Sequence, residues 1–168
     1  KKTSILRKLS NNNLNIVRSM TNTPISVGMG SSIVYFDKKT SAKSISLSKN
    51  FLGLVGQVIE VKKETQIDAF TAIFGSGPAY IYYFIETLSK IAMKNGFKQS
   101  DQMIIHLFLG SILLMLDKKE HPKSLRDKVT SKGGTTEAAI KSLASSDKFL
   151  KILSDAINKA KKRSRELN

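Results

Sequence analysis

The sequence contains no cysteine and no tryptophan, and it has only three prolines in 168 residues. Without cysteine, the chain has no disulfide, no thiolate nucleophile and no thiolate ligand for a metal. Its two histidines, His106 and His121, have no partner at the spacing of a metal site or a catalytic triad. We therefore predict no metal site, and the absence of disulfides is compatible with a cytoplasmic location.

The sequence predicts neither a membrane-spanning segment nor a secretory signal peptide. The longest apolar stretch, 103–116, contains a histidine, a glycine and a serine, and it is shorter than the roughly 20 residues that a bilayer requires. Lys1 and Lys2 are not followed by the apolar segment of a signal peptide. We therefore expect no membrane partner. The first residue is not methionine, so we expect the natural protein to begin earlier.

Negative charge is scarce: 13 Asp and Glu stand against 28 Lys and Arg, for a net charge of +15. The lysines are scattered, which is typical of a solvated surface. The densest run, 159–165, falls at the end of the last predicted helix, where cations offset the helix macrodipole. Binding to nucleic acid is an alternative, but no motif of interleaved aromatic and basic residues supports it, so we predict no nucleic-acid partner.

The first sixty residues have the composition of alternating strands and helices. Short segments rich in β-branched and aromatic residues indicate strands, and turn signals separate them. The strands are predicted at 16–20, 32–36 and 58–61, the helices at 3–9 and 44–54, and turns at 11–13 and at Thr23-Pro24.

From about Glu64 onward the apolar residues follow a helical period. Two of the predicted helices are apolar on nearly every face, which is typical of helices buried against another subunit. The helices are predicted at 65–73, at 78–95 with Gly96 as C-cap, at 100–117 with Ser100 as N-cap, at 122–129, from Thr135 or Thr136 to 143, and from Ser146 or Asp147 to 166.

The segment 129–137 (VTSKGGTTE) is the most informative motif. Its two glycines let the backbone approach a ligand closely, and its hydroxyl residues lead into a helix N-terminus. Free N–H groups at such a terminus suit a carboxylate or a phosphate. Plain capping of the helix by Thr135 or Thr136 is the alternative.

Other motifs are weaker. The sequence contains neither G-x-G-x-x-G nor a P-loop, so the pattern alone predicts no dinucleotide or nucleotide site. The segment 75–78 (GSGP) indicates a tight turn with close helix packing. Glu64 and Asp68, four positions apart, could accept hydrogen bonds from a substrate amine, although acidic residues are also common at a solvated helix start.

Three segments resemble pyrroline-5-carboxylate reductases. Residues 18–24 (RSMTNTP) resemble the family's R-x-M-P-N-T-P, and 74–80 (FGSGPAY) resemble S-G-S-G-P-A-Y. Residues 125–136 (LRDKVTSKGGTT) resemble L-(R/K)-D-x-V-(T/S)-S-P-G-G-(T/A)-T. They occur in the family's order, and the resemblance extends from about Asn15 to the end. The chain departs from the family pattern at Thr21, Phe74 and Lys132, which stand for Pro, Ser and Pro.

The resemblance implies a mainly α protein. A C-terminal remnant of a Rossmann-like dinucleotide-binding domain would occupy 1–62, and an all-helical dimerisation and substrate domain would occupy 63–168. It also implies a homodimer or higher oligomer that reduces 1-pyrroline-5-carboxylate to L-proline with NADPH or NADH. Because the phosphate-binding Gly-rich loop is not in this sequence, we expect the isolated chain to be inactive. A non-catalytic oligomerisation module from a truncated or decaying reductase is the alternative.

The resemblance also assigns roles to individual residues. Thr136 would be the catalytic residue, its hydroxyl meeting the ring nitrogen of the substrate. The substrate site would be formed by Glu64, Ser131, Gly134, Thr135 and Thr136, and the residues beside the nicotinamide would be Met20, Asn22 and Thr23.

Overall fold

The computed structural model of the chain describes residues 2–11 and 14–167. Most of these residues are helical, and three strands form one small sheet. The chain divides into two units, Lys1–Tyr80 with Asp155–Asn168, and Ile81–Ser154. These units do not follow the predicted domain boundary near residue 62, which stays a prediction. Part of the predicted turn at 11–13 lies outside the described residues.

The sheet belongs to the first unit and has the order β1-β2-β3. Strand β1 (Val17–Thr21) pairs antiparallel with β2 (Gly30–Phe36), and β2 pairs parallel with β3 (Gly56–Glu60). Helix α2 (Ala42–Gly53) makes the crossover that a parallel pair requires. All three predicted strands are confirmed, with their ends moved by one or two residues.

The main buried cluster of this unit lies on one face of the central strand. Ile33 on β2 packs with Ile67 and Phe70 of α3 (Gln66–Phe70), and all three side chains are buried. Met20 and Tyr35 pack against this cluster from β1 and β2. The core therefore joins the sheet to the first helix of the helical segment, and the predicted helix α1 (Thr3–Leu9) is confirmed beside it.

A π turn follows α3 at Thr71–Gly75. The N–H of Ser76 donates to the carbonyl of Thr71, five residues earlier, at 2.8 Å. In a regular α-helix the N–H of Ser76 would donate to the carbonyl of Ala72. Here the carbonyl of Ala72 instead accepts a hydrogen bond from the hydroxyl of Tyr80 at 2.8 Å. The predicted helix at 65–73 is thus correct in position, but its last turn is widened, which periodicity does not predict.

The remaining helices are α4 (Gly77–Lys94), α5 (Ser100–Lys118), α6 (Pro122–Lys128), α7 (Thr135–Ala144) and α8 (Lys148–Leu167). In the second unit, the ring of Phe84 packs edge-on against Phe108 and Phe149, with centroids 5.7 and 6.2 Å apart. As predicted, α4 and α5 are apolar on several faces. Their exposed apolar side chains include Tyr83, Ile91, Leu107, Leu109, Leu113 and Leu116.

The predicted N-caps of α5 and α7 are wrong, whereas the predicted C-cap at Gly96 is confirmed. Ser100 is the buried first residue of α5, and Gln99 precedes it without a side-chain cap. Helix α7 is preceded by Gly134, not by a capping threonine. A short 3-10 turn at Ser145–Asp147 precedes α8, so Asp147, one of the two residues predicted as its cap, lies directly before the helix. Gly96 has the expected left-handed conformation, with φ of 92°.

Among the described residues, α5 is the one helix long and apolar enough to cross a membrane by length and composition alone. The helix passes this test because it extends beyond the apolar stretch 103–116 to 19 residues. Core helices of soluble proteins pass the same test, so this property carries little weight alone.

Candidate functional site

The predicted site residues fall into two sets, one in each unit. The first unit contains Met20, Asn22, Thr23 and Glu64, and the second contains Ser131, Gly134, Thr135 and Thr136.

The diglycine turn before α7 depends on both glycines. Gly133 has φ of 74°, a left-handed conformation that side chains rarely adopt. At Gly134, a Cβ would lie 2.5 Å from the hydroxyl oxygen of Ser131 and 3.1 Å from its carbonyl oxygen. The N–H of Gly134 donates to that carbonyl at 3.0 Å. The loop therefore closes tightly on itself just before the helix begins.

Helix α7 begins at Thr135 and directs its first N–H groups out of the helix. Thr136 is half-buried, whereas Thr135 and Ser131 are exposed. Within the described part of the chain, the Thr136 hydroxyl makes no hydrogen bond. It can therefore donate to, or accept from, a small polar molecule bound at this terminus.

Glu137 already supplies one carboxylate to this turn. The N–H of Gly133 donates to its Oε2 at 2.7 Å, and the ammonium of Lys141 lies 3.0 Å from its Oε1. These two contacts hold the pKa of Glu137 below its ordinary value. An intramolecular carboxylate thus uses the first N–H of the turn, and it leaves the N–H groups of α7 itself for a ligand.

Glu64 is held by three hydrogen bonds within the first unit. Its Oε1 accepts hydrogen bonds from the N–H of Thr3 at 2.8 Å and from the guanidinium of Arg18 at 3.0 Å, and its Oε2 accepts the Thr3 hydroxyl at 3.1 Å. Burial raises the pKa of Glu64, but the Thr3 and Arg18 hydrogen bonds outweigh it and hold that pKa below its ordinary value. The carboxylate thus ties α1 and β1 to the segment before α3.

A cleft of about 370 Å³ opens beside Glu64 in the first unit. Asp68, on the same side of α3, is buried and accepts the hydroxyl of Ser164 at 3.0 Å. The two acidic residues do share one cleft, as their spacing of four suggests. The cleft is lined by Lys2, Arg18, Glu64, Thr65, Asp68 and Arg165.

Two of the three residues predicted to lie beside the nicotinamide contact the π turn. The side-chain amide of Asn22 donates to the carbonyl of Phe74 at 3.2 Å. A Cβ added to Gly75 would lie 3.1 Å from the methyl group of Met20. Thr23 is exposed and begins a short 3-10 helix, Thr23–Val27. Met20 and Asn22 therefore lie against the segment that resembles S-G-S-G-P-A-Y.

Two of the departures from the family pattern are located at these turns. The ring of Phe74 is 45% exposed and packs against Phe70, with centroids 5.1 Å apart. Lys132 is exposed in the loop before Gly133.

Two partners in these sites were missed from the sequence. Glu137 stands three residues after Gly134, the spacing of a capping box, which could have indicated that its carboxylate turns back toward the loop, although it accepts the N–H of Gly133 and not that of Gly134. Thr3 binds Glu64 across 61 positions, and no local pattern indicates that pairing. Among residues 2–11 and 14–167, no group of three or more His, Asp or Glu side chains could hold a metal ion.

Comparisons with known proteins agree with the resemblance in sequence. The family described as pyrroline-5-carboxylate reductase dimerisation matches residues 64–167. Pyrroline-5-carboxylate reductase 1 of Bacillus subtilis is 36% identical over 99% of this chain and 56% of its own length. The Pseudomonas aeruginosa reductase is 36% identical over 90% of this chain and 56% of its own length.

Solved structures show the same likeness. A reductase from Coxiella burnetii has a TM-score of 0.90 and 33% identity, with 99% of this chain and 62% of that chain covered. A Plasmodium falciparum reductase with NADP bound has a TM-score of 0.85 and 31% identity, with 98% of this chain and 66% of that chain covered. The chain spans about half the length of the curated relatives it matches.

These matches confirm the predicted fold class: a mainly α protein in which a Rossmann-like α/β segment precedes an all-helical dimerisation domain. They also support homo-oligomerisation. The chain belongs to the pyrroline-5-carboxylate reductase family.

Proposed function

We propose that this chain provides the helical, substrate-holding part of an NAD(P)H-dependent reductase that converts 1-pyrroline-5-carboxylate to L-proline in proline biosynthesis. The observation that carries the proposal is the diglycine turn at Gly133 and Gly134, which leads directly into α7 beside the half-buried hydroxyl of Thr136. A helix N-terminus of this kind suits the carboxylate of a small amino-acid-like substrate. Membership of the reductase family supports the same chemistry.

In this proposal the chain orients the substrate. The N–H groups at the start of α7 hold its carboxylate, with Ser131, Gly134 and Thr135 around it, and the Thr136 hydroxyl hydrogen-bonds the ring nitrogen. A bound nicotinamide would supply the hydride for the imine carbon, and the proton that the ring nitrogen gains would come from water by way of the Thr136 hydroxyl. Holding the two reacting atoms close together lowers the barrier mainly through orientation, so a strong side-chain acid is not required.

The residues of this chain suit only one end of the cofactor. The sequence has no G-x-G-x-x-G loop, so nothing in it corresponds to the usual pyrophosphate site. Met20, Asn22 and Thr23 could contact the nicotinamide of either NADPH or NADH. Glu64 is proposed for the substrate site through family resemblance alone, because both of its carboxylate oxygens already accept hydrogen bonds.

We further propose that the protein is cytoplasmic and acts as a homodimer or a larger homo-oligomer. The helical domain would correspond to 63–168 and the α/β segment to 1–62. Exposed apolar side chains on α4 and α5 support assembly through the helical part.

The test is to assay the chain alone and after fusion to an upstream dinucleotide-binding domain from a reductase. We expect no cofactor-dependent reduction of pyrroline-5-carboxylate by the chain alone and measurable activity from the fusion. The oxidation of thioproline provides a second assay. A fusion that is folded and oligomeric and binds NADPH, yet has no activity in either assay, would contradict the proposal.

A second candidate function is that of a non-catalytic oligomerisation module. The apolar surfaces of α4 and α5 favour it, since they support assembly whether or not a substrate binds. It predicts a stable homo-oligomer in which neither the chain nor the fusion binds L-proline or NADPH. Calorimetric titration with both ligands distinguishes the two functions.

A further inference from the structure

Pro78 leaves one backbone carbonyl of the first unit without its usual partner. In a continuous helix the N–H at position 78 would donate to the carbonyl of Phe74, but proline has no N–H. The next amide, that of Ala79, donates to the carbonyl of Ser76 at 3.0 Å. The Phe74 carbonyl therefore depends on a donor from elsewhere in the fold.

Asn22 provides that donor. Its Nδ2 donates to the Phe74 carbonyl at 3.2 Å, and its Oδ1 accepts the N–H of Ser31 at 2.9 Å. Both partners are backbone groups of fixed polarity, so the side chain at position 22 must be a donor at one end and an acceptor at the other. An aspartate would keep the contact with Ser31 but would face the Phe74 carbonyl with a second oxygen.

The same connection brings Met20 and Gly75 together. A Cβ at Gly75 would lie 3.1 Å from the methyl group of Met20, which is tighter than ordinary van der Waals contact. Met20 also packs against the buried cluster around Phe70. The end of β1 is thus held against the π turn by a hydrogen bond at Asn22 and by packing at Met20.

We infer that Asn22 is a positioning residue, which fixes the Met20–Thr23 segment against the Phe74–Gly75 turn through the carbonyl that Pro78 leaves free. Its effect on catalysis rests on the proposed function, in which this segment lies beside the nicotinamide. Asn22 then acts on the cofactor through the placement of Met20, and the contact itself exists with or without reductase activity.

The experiment combines Asn22→Asp, Pro78→Ala and the double variant in the 168-residue chain. Asn15→Asp is the matched control, because Asn15 accepts the N–H of Ser41 at 2.7 Å through its oxygen, and a carboxylate can replace that acceptor. Methyl-labelled methionine reports the position of Met20 by NMR. Four other methionines serve as internal references: Met29, Met93, Met103 and Met115.

We expect Asn22→Asp to shift the Met20 methyl resonance and to lower the folding equilibrium constant about tenfold, whereas Asn15→Asp changes neither. In the Pro78→Ala background the loss should be smaller, because the new N–H at position 78 satisfies the Phe74 carbonyl. Asn22→Ala removes the donor without adding charge, and it replaces Asn22→Asp if that variant does not fold.

In the reductase fusion, Asn22→Asp should raise the KM for NADPH about tenfold and leave the KM for pyrroline-5-carboxylate within about twofold. An unshifted Met20 resonance, or a loss of stability that is equal with and without the Pro78→Ala substitution, would overturn the inference. If the resonance shifts and the losses differ while the unsubstituted fusion is inactive, the positioning role of Asn22 is supported and the proposed function fails.

Discussion

The carboxylate of Glu64 accepts a hydrogen bond from the backbone N–H of Thr3 at 2.8 Å, across 61 positions of the chain. Thr3 is the first residue of α1, where N–H groups have no partner within the helix. Arg18 on β1 donates to the same carboxylate oxygen at 3.0 Å. Glu64 therefore stabilises α1 at its N-terminus and joins it to the sheet, whatever its part in substrate binding.

The lowered pKa of Glu64 predicts a pH dependence of stability. Because its folded pKa lies below the ordinary value of 4.5, the unfolded chain binds more protons in that interval. The stabilisation is therefore fully present above the unfolded pKa and is lost as pH falls through the folded pKa. We expect Glu64→Gln to lower the free energy of unfolding by about 1–3 kcal/mol at pH 7. The difference in free energy of unfolding between this variant and the unsubstituted chain should become smaller as the pH falls.

Urea unfolding at several pH values between 7 and about 3 measures this effect. Glu86→Gln is the control, since its ion pair with Lys90 lies on the exposed surface and such pairs contribute little to stability. A constant difference between Glu64→Gln and the unsubstituted chain across this pH range would show that the carboxylate is not held by Thr3 and Arg18.

The diglycine turn predicts a loss of stability in Gly134→Ala. The added Cβ would lie 3.1 Å from the backbone carbonyl oxygen of Ser131, which the turn holds in place, and we expect a cost of about 1 kcal/mol. Ser131→Ala should recover little of that loss, because the exposed Ser131 hydroxyl, 2.5 Å from the added Cβ, can rotate away. Gly53→Ala is the control, since a Cβ there meets nothing within 4 Å. Thermal unfolding of Gly134→Ala, Ser131→Ala, their double variant and Gly53→Ala measures the effect, and full recovery of stability in the double variant would show that the Ser131 carbonyl does not restrict position 134.

The fold was largely predictable because its signals are local. Strand β2 is a run of β-branched and aromatic residues, and α2 begins after Ser41, whose hydroxyl accepts the N–H of Ser44 at 3.3 Å. The π turn was not predictable from periodicity. It depends on the hydroxyl of Tyr80 reaching the Ala72 carbonyl and on Asn22 reaching Phe74 from another part of the chain.

The candidate site was predicted in its composition more than in its contacts. The diglycine segment correctly indicated that small and hydroxyl residues lead into a helix N-terminus, but Gly134 precedes α7 and neither Thr135 nor Thr136 caps it. The contacts of Glu64 with Thr3 and Arg18 join segments distant in sequence, so their partners could not be read from spacing. The roles assigned to the site residues in binding stay predictions.

Thr136 provides the direct test of the proposed chemistry. In the reductase fusion, Thr136→Ala should lower kcat/KM for pyrroline-5-carboxylate by about 10- to 100-fold, since it removes a hydrogen bond to a polar group that becomes charged. Thr136→Ser keeps the hydroxyl and should retain most of the activity. Steady-state kinetics with varied substrate measures both variants, and unchanged kinetics in Thr136→Ala would remove this residue from the site.

The apolar surface of α5 predicts how the protein assembles. Leu113 is 55% exposed in the single chain, and a carboxylate placed there would be buried without a partner if this surface forms the interface. We expect Leu113→Glu to weaken self-association by about 100-fold or more, as measured by light scattering over a dilution series. Leu47→Glu is the matched control, because Leu47 is comparably exposed on α2, outside the dimerisation domain. Dissociation by Leu47→Glu alone would move the interface to the α/β segment.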